Sequence, residues 1–402
     1  MLTTLRRAAT TTDARTPATR DRALDGLRAL ALLSVPVGHW MLGGLTLTDG
    51  VLHNASPLGA LGFMAPLSWV LQMLGVFFLV GGRASALSWR RAAARGTGAR
   101  QWLRGRTLRL ARPVLGVAAV WAVLIPLLRA LGVPADTVRT GAVLMVQPLW
   151  YIGMYLVLTA LTPLCVKFGA RSRGWGAGLL LAAVAAVDLL RYGPWGAAMP
   201  GWLSLLNLLP GWLFAYQLGV DWAHGRITRA GARLLALGGA ALFAVLLLVF
   251  HYPASMVGVP GAARTNSHPP SLLVLALASA QGGAAMLLKD RLGRALRRPL
   301  LWLPVVVVNL GAMTVFCWHQ TAMFLTALAG SRLGGAVPGL TTAPDSGLWA
   351  LERLCWLPVF GLVLALIGSR ARRFDGPWPS RAWRAAAGAG AALFAVYALG
   401  AV

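Results

Sequence analysis

Residues 22–46 read RALDGLRALALLSVPVGHWMLGGLT. From Leu27 to Thr46 the chain is apolar apart from Arg28, Ser34, His39 and the terminal Thr46, over the roughly 20 residues that a helix needs to cross a bilayer. Comparable runs recur at about 64–88, 110–131, 143–166, 175–192, 200–221, 233–252, 271–288, 303–328 and 347–369, and a weaker Gly/Ala-rich run covers 385–402. They are continuous, whereas the strands of a membrane barrel alternate apolar and polar residues. Composition agrees: 57% of the 402 residues are hydrophobic and 12% charged, against roughly 25% charged in soluble domains. The expected fold is an all-α polytopic membrane protein with about ten transmembrane helices and an optional eleventh at the C-terminus. Residues 1–26 read as a disordered cytoplasmic tail, 27–370 as the membrane domain, and 371–402 as a basic segment carrying the optional helix.

A formal charge of +26 would suggest nucleic acid if the basic residues formed one patch. They do not. The stretch through Arg28, Arg90–Arg112, Lys167–Arg173, Arg226–Arg233, Lys289–Arg298 and Arg370–Arg384 hold roughly 30 of the 37, as positive-inside topology demands. The alternate loops carry only Arg129, Arg139, Arg191, Arg264 and Arg332. This alternation puts the N-terminus in the cytoplasm and the chain in the cytoplasmic membrane as a multi-pass protein. No secretory signal is read in the first residues. Cys165, Cys317 and Cys355 are scattered within apolar stretches, with no spacing for a metal or a disulfide framework.

His39 follows Arg28 by eleven residues. At about 100° per residue, eleven steps return to nearly the same helix face, and the two side chains lie about 16 Å apart along it. Arg28 then sits at the cytoplasmic boundary, with His39 near mid-bilayer above it. An ionisable group at that depth is costly and marks function by default. Imidazole is also a competent base near neutral pH. The plainer reading, a histidine bonded to a neighbouring helix, stays open at this point.

Arg22-Ala23-Leu24-Asp25-Gly26-Leu27-Arg28, with His39 downstream, resembles the opening signature of the acyltransferase-3 family of integral membrane acyltransferases. Other elements follow in order. Val76-Phe77-Phe78-Leu79-Val80-Gly81-Gly82 is similar to the family's second span, although Gly81 stands where many members have Ser. Arg106-Thr107-Leu108-Arg109, with Pro113 beyond, resembles its Arg-x-x-Arg element, and Pro148-Leu149-Trp150-Tyr151 its Leu-Trp-Phe element. Asn266–Ser271 and Phe316-Cys317-Trp318-His319-Gln320-Thr321 look like motifs of an actinobacterial branch.

The resemblance covers about residues 20–370. It implies transfer of an acyl group, usually acetyl from acetyl-CoA, to a hydroxyl of a carbohydrate or secreted metabolite. It also implies catalytic roles for His39 and Arg28 and a functional Arg106/Arg109 pair. Members often carry a C-terminal hydrolase-like domain, and none is read here.

The residues suit that chemistry. Arginine's planar fork fits the phosphates of coenzyme A, and Arg106 and Arg109 share a helix face. The alternative for both is anchoring to anionic lipid. His39 can act as general base or form an acyl-histidine, and both routes stay open. No cofactor is bound permanently, no metal is called for, and acyl-CoA enters as donor substrate.

Asp25 either orients Arg28 or caps the helix. His319, Trp150 and Tyr151 are candidate acceptor or acyl contacts; their alternatives are an interhelical bond for His319 and interfacial aromatics for the other two. Asp188 and Arg191 read as a local ion pair, Glu352 and Arg353 as solvated surface groups with sugar contact as the alternative, and Asn266 or Ser267 as the cap of the eighth span, with acceptor recognition as the weaker alternative. A second class of function, a multi-pass exporter of a lipid-linked sugar or metabolite, also has about ten spans and buried polar groups. No duplicated halves are seen to support it.

Overall fold

The computed structural model describes residues 2–194, 196–262, 264–376, 378 and 380–401. Met1 and Val402, the ends of the expected tail and of the optional helix, fall outside them. The chain begins with α1 (Leu2–Ala14) and α2 (Arg22–Leu42), then a hairpin of β1 (Gly44–Thr48) and β2 (Val51–Ala55). Next come α3 (Ala65–Leu71), α4 (Leu74–Ala94), α5 (Ala99–Ala130), α6 (Ala135–Val146), α7 (Leu149–Ala160), α8 (Thr162–Arg171) and α9 (Gly176–Tyr192). The remainder is α10 (Leu208–Ala223), α11 (Arg229–Leu248), α12 (Leu272–Ala295), α13 (Pro299–Leu310), α14 (Ala312–Gly330), α15 (Gly347–Ala371) and α16 (Arg381–Ala401). Short 3₁₀ turns fill several connections.

Among the described residues, eight helical stretches are long and apolar enough to cross a membrane, and up to ten if two bent pairs each count as one span. The fold is therefore an all-α polytopic membrane protein. The set differs from the expected one. α16 belongs to it, while α2 does not, because α2 ends at Leu42 and carries Arg22, Asp25, Arg28, Ser34, Pro36 and His39. The expected run 143–166 is replaced by the stretch Ala135–Ala160, and α8 and α9 meet at a 101° bend. The run expected at 303–328 is likewise broken, by 75° between α13 and α14.

The chain divides into two compact units. Unit 1 comprises residues 1–34, 65–102 and 155–310. In bilayer interiors helices approach closely through small residues, and two reciprocal glycine pairs do this here. A Cβ on Gly219 of α10 would overlap the Leu79 carbonyl of α4, and one on Gly82 of α4 would overlap the Tyr216 carbonyl of α10. Gly239 of α11 and Gly283 of α12 relate in the same way, meeting Ala280 and Ala236 backbone nitrogens. Gly219→Ala is expected to cost about 1–3 kcal/mol as an overpacked contact, read as a lowered melting temperature in detergent. An unchanged transition would show that the two helices are not locked there.

The N-terminal stretch is helical in α1 where a disordered tail was expected. Asp13 at its end receives Arg22 Nη1 at 2.6 Å, and Arg22 also donates to the Leu296 carbonyl at 3.0 Å. The indole of Trp302 donates to Thr16 Oγ1 at 2.8 Å. Asp188, read as a local ion-pair partner, keeps that pair, is buried and takes three hydrogen-bond donors besides. Its Oδ1 accepts from Asn207 Nδ2 at 2.8 Å and lies 3.6 Å from Arg191. Its Oδ2 accepts from Tyr252 OH at 3.2 Å and from the Leu272 backbone N–H at 2.7 Å. The carboxylate thus satisfies a first-turn donor of α12, a capping role that had been expected of Asn266 or Ser267. Asn266 instead bonds the Pro253 and Ser255 carbonyls at 2.6 and 2.8 Å.

Unit 2 comprises residues 35–64, 103–154 and 311–402. Its hairpin pairs Gly44–Thr48 with Val51–Ala55, antiparallel. Asp49 and Gly50 have φ of 50° and 76°, the positive values that a type I′ turn needs at both central residues. The hairpin's free edges are occupied: Leu47 N–H donates to the Thr341 carbonyl and Leu52 N–H to Thr137 Oγ1, each at 2.9 Å. α16 packs in this unit too, with Gly390 against Ala119 and the Phe394 ring 6.5 Å from that of Trp121.

Candidate active site

Two of the predicted site residues meet in unit 2. His39, near the end of α2, places Nδ1 2.8 Å from Nε2 of His319 on α14, and the ring centroids are 5.0 Å apart. His319 is wholly buried, whereas His39 keeps part of its surface accessible. His319 Nδ1 lies 2.7 Å from the Phe316 carbonyl one turn back. The indole of Trp40 donates to the His319 carbonyl at 3.1 Å. Every residue from Phe316 to Thr321 is buried, so α14 carries its imidazole inside the protein rather than on a lipid-facing stripe.

Tyr151 and Trp150 of α7 belong to the same neighbourhood. The buried Tyr151 ring lies 5.3 Å from Phe316, whose ring is 6.1 Å from His319, and Trp150 stands edge-on to Tyr151 at 6.1 Å. Just beyond, Trp121 donates to Thr321 Oγ1 at 3.0 Å. One side of the imidazole pair is therefore aromatic and apolar.

A cation of the region stands elsewhere than the sequence suggested. Arg353 of α15, expected at the surface, is completely buried. Its Nε donates to the Trp40 carbonyl at 2.7 Å, Nη2 to the Gly43 carbonyl at 3.1 Å and Nη1 to the Gly339 carbonyl at 3.1 Å, with Met323 Sδ 3.0 Å from Nη2. The last carbonyls of a helix have no intrahelical donor, and a cation is favoured at that end of the dipole. Arg353 meets both needs at the end of α2, directly after His39. The Phe360 ring lies 4.7 Å from its guanidinium carbon.

Asp25 does not orient Arg28. It takes a two-pronged ion pair from Arg20, with Nη2 to Oδ1 at 2.9 Å. The capping expected of Asp25 falls to Asp21, whose Oδ1 accepts the Leu24 N–H at 3.2 Å. Arg28 is exposed on α2; on α5, Arg109 is exposed and Arg106 half-buried. A further intramembrane cation, Arg83 of α4, donates to the Trp222 carbonyl at 3.0 Å and lies over the Trp222 ring at 4.3 Å.

A family model described as an acyltransferase domain, acyltransferase-3, matches residues 21–369. That region includes all of these side chains except Arg20 and nearly coincides with the stretch on which the resemblance was read. No curated protein and no solved structure matches the chain.

Proposed function

We propose, since the chain belongs to the acyltransferase-3 family and is a membrane acyltransferase, that it moves an acyl group, ordinarily acetyl, from cytosolic acyl-CoA to a hydroxyl of a carbohydrate or secreted metabolite at the cytoplasmic membrane. The observation that carries this reading is the imidazole pair. Of the two histidines in contact, His319 is wholly buried and His39 keeps part of its residue surface accessible, which makes His39 the one to meet a substrate.

His39 then acts as general base. It takes the acceptor hydroxyl's proton as that oxygen bonds to the thioester carbonyl carbon. The tetrahedral centre collapses, the carbon–sulfur bond breaks, and the proton returns from His39 to the departing thiolate. Thiols ionise near pH ~8.5, so the leaving group is good and one base is enough. Arg106 and Arg109 of α5 hold the phosphates of coenzyme A, for which a guanidinium fork is well shaped. Tyr151, Trp150 and Phe316 supply an apolar wall for the acyl group.

The test is purified protein in nanodiscs with labelled acetyl-CoA and candidate sugar acceptors. Label transferred to an acceptor hydroxyl supports the reading, and vectorial export of an unmodified sugar would replace it. In the same preparation Arg106→Ala and Arg109→Ala are each expected to weaken CoA binding about tenfold or more, the scale of one lost charge-assisted bond. Unchanged affinity would leave the two arginines as topology anchors.

A further inference from the structure

We infer that His319 is a positioning residue that fixes the tautomer of His39, so that Nε2 of His39 is the atom that takes the proton. This rests on His39 being the base, as proposed above. The argument is one of donors and acceptors. A carbonyl oxygen only accepts, so at 2.7 Å from the Phe316 carbonyl the His319 Nδ1 must carry hydrogen. A neutral imidazole has one N–H, which leaves a lone pair on His319 Nε2. That nitrogen lies 2.8 Å from His39 Nδ1, so His39 Nδ1 must be the donor. The lone pair of neutral His39 is then at Nε2. Among the described residues, the bond to His319 is the one hydrogen bond of the His39 ring.

The other assignment requires a charged His319 with hydrogen on both nitrogens. It would be a fully buried imidazolium, whose desolvation no carboxylate in contact offsets. It would also leave Nδ1 of His39 as the lone pair, already engaged and turned away from substrate.

The arrangement does what the carboxylate does in a Ser–His–Asp triad, with a neutral acceptor in its place. When His39 takes the hydroxyl proton on Nε2, its Nδ1–H continues to donate to His319 Nε2 and the new charge is spread and held. When the thiolate leaves, the Nε2 proton goes to sulfur and His39 is neutral again. His319 keeps the same proton throughout. A neutral partner suits the setting, because a second full charge at this depth would be costly. The framework is pinned from both helices: Trp40 donates to the His319 carbonyl, and Arg353 holds the Trp40 and Gly43 carbonyls.

The test compares two substitutions in the full-length protein in nanodiscs. His319→Leu removes the acceptor and is expected to lower kcat about 10²- to 10³-fold, below the ~10⁴-fold known for a charged triad partner, with KM for acyl-CoA little changed. His319→Gln offers an amide oxygen to the same Nδ1–H and is expected to keep kcat within about tenfold of the parent. A separate readout is the nitrogen-15 spectrum of His39 in the unsubstituted protein, expected to show hydrogen on Nδ1. Equal losses in both variants, no loss in either, or hydrogen on Nε2 of His39 would each overturn the dyad. Should His319→Leu fail to fold, the tautomer of His39 decides alone. The premise fails separately: if His39→Ala turns over normally, His39 is not the base, whatever His319 does.

Discussion

His39→Ala is expected to reduce acyl transfer by about 10³-fold or more, at the upper end of what one general base supplies, while CoA affinity stays close to the parent's and the melting temperature falls only modestly. The separation of effects follows from geometry. The ring of His39 makes one hydrogen bond, to His319, so its removal leaves one buried acceptor, worth about 1–3 kcal/mol, in a bundle whose other contacts are intact. The donor's phosphates are assigned to Arg106 and Arg109 on α5, so binding persists. The check is turnover, CoA binding and melting temperature on one preparation. A variant with parental turnover would remove the mechanism; one that binds no CoA would place His39 in the donor site rather than at the reacting carbonyl.

The second large effect is on folding. Arg353→Met removes the donor of three backbone carbonyls, those of Trp40, Gly43 and Gly339. The replacement keeps an unbranched apolar stem but satisfies none of them. With buried unpaired acceptors at about 1–3 kcal/mol each, the loss is expected at roughly 3–9 kcal/mol, read as a strongly lowered melting temperature in detergent and a poor yield of monodisperse protein. Arg353→Lys can reach one or two of the three and should fall between. A melting temperature for Arg353→Met within about a degree of the parent would mean that those carbonyls find other partners. Because Trp40 adjoins His39, any Arg353→Met protein that survives should also turn over slowly.

The bilayer-crossing character was legible because it is written twice, in hydropathy and in the placement of arginine. The errors lie where local pattern and tertiary demand diverge. Leu45 and Leu47 extend the apolar run after His39, which lengthened the first helix on paper. The Gly43-Gly44 step and the Asp49-Gly50 turn behind them are hairpin signals that went unread. Arg353 follows Glu352 at the outer end of a span, where an interfacial charge pair is the ordinary expectation. Its true surroundings come from Gly43 and Gly339, residues that only the fold brings near. Asp188 does pair with Arg191 as the spacing suggested, but its hydrogen bond to Leu272 crosses 84 positions and had no local signal. His39 and His319 were each recognisable as intramembrane imidazoles. That they touch across 280 positions has no local signature.

The central claim is that His39 drives transfer from a CoA thioester to a hydroxyl, and acceptor-dependent release of free CoA thiol tests it most directly. Parent and His39→Ala proteins, reconstituted side by side with acetyl-CoA, would be followed with and without a sugar acceptor. The account predicts thiol release by the parent that rises with acceptor and matches acetyl ester formed, and none above background from the variant. Equal release from both proteins would contradict it.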